Sequence, residues 1–205
     1  DLIASKNHAV FEKSCIWSDL KAHYILQKYL KDNFIIQMGN STSVRYIQLF
    51  DTKKNLSYFG NRGISGIEGS TSTALGSASV HSKTNILITG DLSFIYDQNG
   101  LWNNHIPNNL KLFVFNNQGG GIFKIISGPK NTPFLEEYFE TKHELSLKSI
   151  AETHHLNYHC AKNEKEAEQI IPSVLESNQF EIVEFFTGNV ENEKILNDYF
   201  SVIKK

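Results

Sequence analysis

Sulfur is scarce in this chain, with two cysteines and one methionine in 205 residues. Cys15 and Cys160 stand far apart and have no metal-ligand companion at a zinc-like spacing, so neither a disulfide framework nor a zinc site is expected. Such usage fits a reducing cytoplasm. Long apolar runs are also missing. Nothing approaches the roughly 18 apolar residues of a membrane span, and the first residues lack the basic-then-apolar pattern of an export signal. Charge of one sign is absent too: 20 basic against 22 acidic residues give a net charge of −2, with no lysine or arginine stripe long enough to track a nucleic-acid backbone. Neither G-x-G-x-x-G after a first strand nor G-x-x-x-x-G-K-[ST] occurs, which removes the Rossmann and P-loop readings. Asp1 stands where an initiator methionine would, and the chain is read as a fragment of something longer.

What is present is an ordinary globular composition, 40% hydrophobic and 20% charged, enough for one α/β domain. Ser18 is placed to cap an amphipathic helix over 19–30, followed by a strand over 34–38 and a helix that Ser41 could cap. A second strand over 56–59 leads through the glycine-rich run 60–69 into a helix of small residues around 73–78. Strands at 85–89 and 110–115 are short, β-branched or aromatic, and bounded by turn residues. The segment 127–141 is polar and contains proline and aromatics, so a surface loop or lid with a short helix is expected. A helix over 149–155, a strand over 156–159, a helix over 164–177 started by Asn163, a strand over 180–185 and a helix over 191–203 complete the alternation. The alternation implies a three-layer α/β/α domain with a parallel sheet of about six strands.

The chemistry concentrates at two strand ends. Gly90-Asp91-Leu92-Ser93 closes one apolar run and Asn116-Asn117-Gln118-Gly119-Gly120-Gly121 closes the next, so Asp91 and Asn117 should meet at the carboxyl edge of the sheet, where open α/β folds bind ligands. A carboxylate, an amide oxygen and glycine-exposed carbonyls are hard oxygen donors. They suit a magnesium-like cation that keeps some coordination sites for phosphate. Without a ligand, the same residues would be strand-end turn formers, and Ser93 a helix cap. Glu68 lies in the glycine turn and is read as a cap, and none of the eight histidines has a convincing catalytic partner.

Asp91 and Asn117, with their strand–GD start and strand–NN end, resemble the thiamin diphosphate motif. Leu92 departs from the common glycine after the aspartate, but one subfamily carries GDLS. Residues 90–99, 116–123 and 61–69 together closely resemble the MenD family of menaquinone biosynthesis, the 2-succinyl-5-enolpyruvyl-6-hydroxy-3-cyclohexene-1-carboxylate synthases. The likeness runs from about Phe34 to the C-terminus and covers only the diphosphate-binding domain of that family's three.

The resemblance implies a thiamin diphosphate-binding fold and a transferase reaction: decarboxylation of 2-oxoglutarate and addition of the succinyl semialdehyde carbanion to isochorismate. It implies Mg2+ or Mn2+ held by Asp91, Asn117 and the carbonyl of Gly119, with Gly90, Leu92, Ser93 and Gly120 around the diphosphate. Ile67 would be the bulky apolar residue beneath the bent cofactor, and Ile122 and Phe123 would line its pocket. Arg45 and Arg62 would engage substrate carboxylates through paired donors, with Asn40 and Ser41 as further substrate contacts. The activating glutamate would lie in a preceding domain, joined by a linker over 1–17, and the site would be completed across the interface of a homodimer or larger assembly. The 205 residues alone would then be folded but inactive. Two other readings stay open: another thiamin diphosphate enzyme, such as an acetolactate synthase or 2-oxoacid decarboxylase, and a non-catalytic α/β binding module.

Overall fold

The computed structural model of the chain describes residues 14–50, 55–188 and 190–203. In chain order its elements are α1 (Asp19–Tyr29), β1 (Ile35–Met38), α2 (Thr42–Phe50), β2 (Ser57–Gly60), α3 (Ser70–Val80), β3 (Asn85–Gly90), α4 (Asp91–Tyr96) and β4 (Leu110–Asn116). They continue with α5 (Ile122–Ile125), α6 (Leu147–Thr153), β5 (Asn157–Ala161), α7 (Glu164–Glu176), β6 (Glu181–Phe186) and α8 (Asn192–Ile203). Short 3₁₀ turns occupy Gln98–Trp102 and Pro129–Asn131, and a π-helical turn occupies Leu135–Glu140, a short helix within 127–141 as expected. The six strands form one sheet in the order β2-β1-β3-β4-β6-β5, and every pairing is parallel.

Period-two alternation assigns each strand residue to one of two helical layers. Ile86, Ile88, Phe113, Phe115, Val183 and Phe185 face one layer, packed with Ala22, Ile25 and Leu26 of α1 and Ile171 and Val174 of α7. Leu87, Leu112, Val114 and Ile182 face the other, against Ala74 and Ala78 of α3, Phe94 of α4 and Ala151 of α6. Both faces are covered, so β3 and β4 are buried almost throughout. Burying each such leucine or isoleucine contributes about 1.5–3 kcal/mol. The alanines and serines of α3 let that helix lie close to the sheet.

Ser18 caps α1 by accepting from the Lys21 N–H, and Asn163 caps α7 by accepting from that of Glu166, both as expected. Two other caps do not form. Ser41 adopts φ +70° and turns the chain from β1 into α2. Gly69, at φ +79°, occupies the cap position of α3 with no side-chain bond, so Glu68 does not cap it. The helix expected over 149–155 begins earlier, because Ser146 accepts from the Ser149 N–H.

Of the stretch read as a linker, residues 1–13 lie outside the described residues. Trp17 sits against the sheet, its indole N–H donating to the Phe186 carbonyl at 2.8 Å. Cys15 and Cys160 are free thiols, and burial raises the pKa of both. Among the described residues no helix is long and apolar enough to cross a membrane.

β1 connects outward to β2 and the chain then crosses back to β3, so the loops after β1 and β3 diverge and leave a cleft at the carboxyl edge. β4 and β6 are adjacent while β5 lies outside β6, which opens a second cleft behind the first.

Candidate cofactor site

The first cleft is a cavity of about 510 Å³. Asn40, Ser41, Arg45, Arg62, Ile67, Gly90, Asp91, Leu92 and Ser93 line it, together with Asn117, Gly119, Gly120, Ile122 and Phe123. All the residues that the sequence reading selected as site candidates therefore share one wall-to-wall space, though they come from the four separate connections that follow β1, β2, β3 and β4.

Asp91 is buried at the end of β3, as the first residue of α4. Its Oδ1 accepts from the Leu92 N–H at 2.7 Å, and its Oδ2 accepts from the Gly119 N–H at 3.0 Å and from His143 Nε2 at 3.1 Å. Oδ2 is thus filled, while Oδ1 keeps acceptor capacity. Asn117 follows β4, and its Nδ2 donates to Asp19 Oδ2 at 2.7 Å. The other end of the same amide, Oδ1, is buried with no hydrogen-bond partner. A buried acceptor without a partner is costly in a folded protein, and Asn117 lines the cavity together with Asp91. The Gly119 carbonyl accepts from the Gly121 N–H at 3.1 Å and has a second lone pair. Three hard oxygens with spare capacity fit a divalent cation. Among the described residues no group of three or more His, Cys, Asp or Glu side chains could hold a metal ion. A cation here would have to draw on the amide and backbone oxygens that Asn117 and Gly119 supply.

The turn that presents them is tightly determined. Gln118 adopts φ +64°, and its N–H donates to Asn116 Oδ1 at 3.0 Å. Gly119 lies at φ +155°, where a Cβ would stand 2.8 Å from the Glu140 carbonyl oxygen. That carbonyl accepts from the Gly120 N–H at 2.5 Å, and the His143 N–H donates to the Gln118 carbonyl at 3.3 Å. The stretch from Pro129 to His143 therefore folds back over the glycine turn, held also by the Lys124–Glu140 ion pair at 2.7 Å.

On the opposite wall Asn40 is buried and fully engaged. Its Nδ2 donates to the carbonyls of Asn61 and Gly66 at 2.8 and 2.5 Å, and its Oδ1 accepts from Arg62 Nη1 at 2.7 Å. It fixes the glycine loop and the Arg62 guanidinium, and its amide has no donor left for a ligand. Arg45 donates to the Ser41 carbonyl at 2.5 Å and is exposed. The Ser93 hydroxyl donates to the Ile67 carbonyl, which ties the loop below the cavity to the start of α4 and leaves the oxygen only as an acceptor.

Two groups at the site escaped the sequence reading. His143 reaches Asp91 from just beyond the segment 127–141 read as a loop or lid, and its pKa is raised chiefly by that hydrogen bond. Asp19 comes from α1. Burial pushes its carboxyl up to about 6, against the lowering effect of the bonds from Thr187 and Asn117. Nothing local marks either residue in the sequence. Each is recognisable only by its partner, which lies 52 and 98 residues away respectively. The second cleft, about 630 Å³, is lined by Asp19, Tyr46, Lys124, His143 and Asn192, and shares Thr42, Asn117 and Gly121 with the first.

Residues 28–185 match the family described as thiamine pyrophosphate enzyme, C-terminal TPP binding domain. A 2-succinyl-5-enolpyruvyl-6-hydroxy-3-cyclohexene-1-carboxylate synthase from Christiangramia forsetii is 44% identical over 92% of this chain and 33% of its own length. The protein of the same name from Porphyromonas gingivalis is 39% identical over 96% of the chain and 34% of its own length. The chain thus spans about a third of the length of the curated relatives it matches. Benzoylformate decarboxylase from Polynucleobacter necessarius superposes with a TM-score of 0.66 at 13% identity, over 84% of this chain and 33% of that one, a likeness of fold alone.

Proposed function

The chain belongs to the thiamine pyrophosphate enzyme family, as its C-terminal cofactor-binding domain, and from that premise we propose that it serves a 2-succinyl-5-enolpyruvyl-6-hydroxy-3-cyclohexene-1-carboxylate synthase of menaquinone biosynthesis. The reaction joins 2-oxoglutarate, less its carbon dioxide, to isochorismate. The observation that carries this reading is the buried, unpartnered Oδ1 of Asn117, a residue that lines with Asp91 a cavity whose far wall holds two arginines.

When bound, thiamin diphosphate supplies the carbon nucleophile that 2-oxoacid decarboxylation requires. Everything else falls to side chains and backbone. Asp91, Asn117 and the Gly119 carbonyl would hold Mg2+ or Mn2+, which neutralises the diphosphate. Gly90, Leu92, Ser93 and Gly120 would line the diphosphate. Ile67 would support the cofactor from below, and Ile122 and Phe123 would keep water from its reactive side. Arg45 and Arg62 would bind the carboxylates of 2-oxoglutarate and isochorismate, with Ser41 beside them. Asn40 serves them as a positioning residue, since its own donors are spent on the loop.

The activating glutamate is assigned to a preceding domain, and the site to the interface of a homodimer or larger assembly in the cytoplasm. Ile64 is 91% and Phe59 52% exposed on the loop and edge strand next to the cavity, apolar surface that such an interface would cover. The test is an assay of the full-length protein with 2-oxoglutarate and isochorismate. Carbon dioxide release that needs both substrates supports the proposal. Turnover of pyruvate or an aromatic 2-oxoacid, indifferent to isochorismate, would favour a decarboxylase or acetolactate synthase instead.

A further inference from the structure

The direction in which the Asn117 amide points is governed by a residue that does not line the first cleft. An asparagine side chain can present either its oxygen or its nitrogen to a given point. Rotating it by half a turn about its terminal bond would exchange the unpartnered acceptor for two N–H donors, which repel a cation. Asp19 decides between the two: a carboxylate accepts only, so it can face Nδ2 and not Oδ1.

Asp19 is itself held from three sides. Its Oδ1 accepts from the Thr187 hydroxyl at 2.5 Å, and its N–H donates to Asn192 Oδ1 at 2.8 Å. Asn192 Nδ2 in turn donates to the Thr187 carbonyl at 3.2 Å, and the Thr187 N–H donates to the Asn116 carbonyl at 2.8 Å. The loop after β6, the start of α1 and the start of α8 thus converge on one aspartate, which is 2% exposed and whose carboxylate bonds the Asn117 amide. We propose that Asp19 is a positioning residue for the divalent cation: it locks the Asn117 amide with Oδ1 towards Asp91 and adds a second negative charge behind the site. The proposal rests on the reading of Asp91, Asn117 and Gly119 as the cation-binding set.

Loss of an outer partner of a metal ligand commonly costs roughly 10- to 100-fold in metal affinity. In the full-length protein, Mn2+ binding in the presence of thiamin diphosphate, followed by electron paramagnetic resonance, should weaken about tenfold or more in Asp19→Ala. Asp19→Asn keeps an acceptor oxygen but not the charge, and should fall between the two. If Asp19 acts through Asn117, its replacement should have almost no further effect in an Asn117→Ala background. A merely structural role would not produce that loss of additivity. Wild-type Mn2+ affinity in Asp19→Ala, or effects that add independently of Asn117, would overturn the proposal. If Asp19→Ala does not melt cooperatively, the same cycle run with Asp19→Asn decides. A drop of roughly threefold that vanishes in the Asn117→Ala background supports the proposal, and an unchanged affinity overturns it. Unchanged Mn2+ binding in Asn117→Ala alone would instead remove the cation-site reading beneath it.

Discussion

The two walls of the cavity are built in opposite ways. On the β3–β4 side Asp91, Asn116 and Asp19 are nearly sealed from water; Asp91 and Asp19 accept from donors in distant parts of the chain, and Asn116 accepts from the glycine turn that follows it. On the β1–β2 side, β2 is a largely exposed edge strand, Arg45 and Arg62 are exposed, and their bonds go to nearby loops. The difference matches two tasks. A cation and a diphosphate need fixed oxygens and amides at one geometry, whereas arginines that gather carboxylates can adjust and must be reachable. The sealed wall should therefore respond to substitution in cofactor binding and stability, and the open wall in substrate kinetics.

The largest effect is expected at Asp91. In the full-length protein Asp91→Ala should reduce metal-dependent thiamin diphosphate binding below detection while leaving the circular dichroism spectrum intact. Unchanged affinity would dissolve the contrast between the walls.

Next comes a pH effect confined to the sealed wall. His23 stacks between Phe115, at 3.5 Å between ring centroids, and Tyr46, at 4.8 Å. Its Nδ1–H donates to the Asp19 carbonyl and its Nε2 is buried without a partner. Burial holds the imidazole pKa down at about 3. A depressed pKa means that the neutral ring's contribution is complete above the unfolded value near 6.5 and is lost as pH falls towards 3. The loss should reach on the order of 4 kcal/mol at the acid end. Asp19, raised to about 6, acts with the opposite sign: its contribution is complete below about 4 and is lost as pH rises through 6. Denaturant melts of His23→Phe from pH 3 to 8 should lack most of the acid-side loss. A wild-type profile would show that His23 is not buried neutral.

Substrate kinetics test the open wall. Arg62→Ala should lower kcat/KM for 2-oxoglutarate or isochorismate on the order of 10- to 30-fold, a charge-assisted contact discounted for exposure, with cofactor affinity nearly unchanged. Arg45→Ala should have a smaller effect, since among the described residues Arg45 is tethered to the carbonyl of Ser41 on the preceding turn. Loss of cofactor binding in either variant would break the division between the walls.

The layered fold and the cavity's rim were legible in the sequence because both follow from local signals. β3 and β4 are buried on both faces, so they read as unbroken apolar runs, and the turns after them are marked by glycine and asparagine. The two missed caps show the limit of such signals. Ser41 has the composition of a cap, yet the chain must turn sharply there, since Gly39, just after β1, lies so close to Thr89 that a Cβ would stand 2.5 Å from its Oγ1. Asp19 and His143 were illegible for another reason. Their chemistry depends on partners brought near only by the sheet order and by the fold-back from Pro129 to His143, and no periodicity or spacing records that.

The central claim is that Asp91, Asn117 and Gly119 bind a cation that in turn binds diphosphate. Calorimetric titration of the full-length protein with thiamin diphosphate, in magnesium and again in excess chelator, tests it most directly. The account predicts saturable binding in magnesium that disappears with chelator and returns with Mn2+, whereas equal affinity in all three conditions would contradict it.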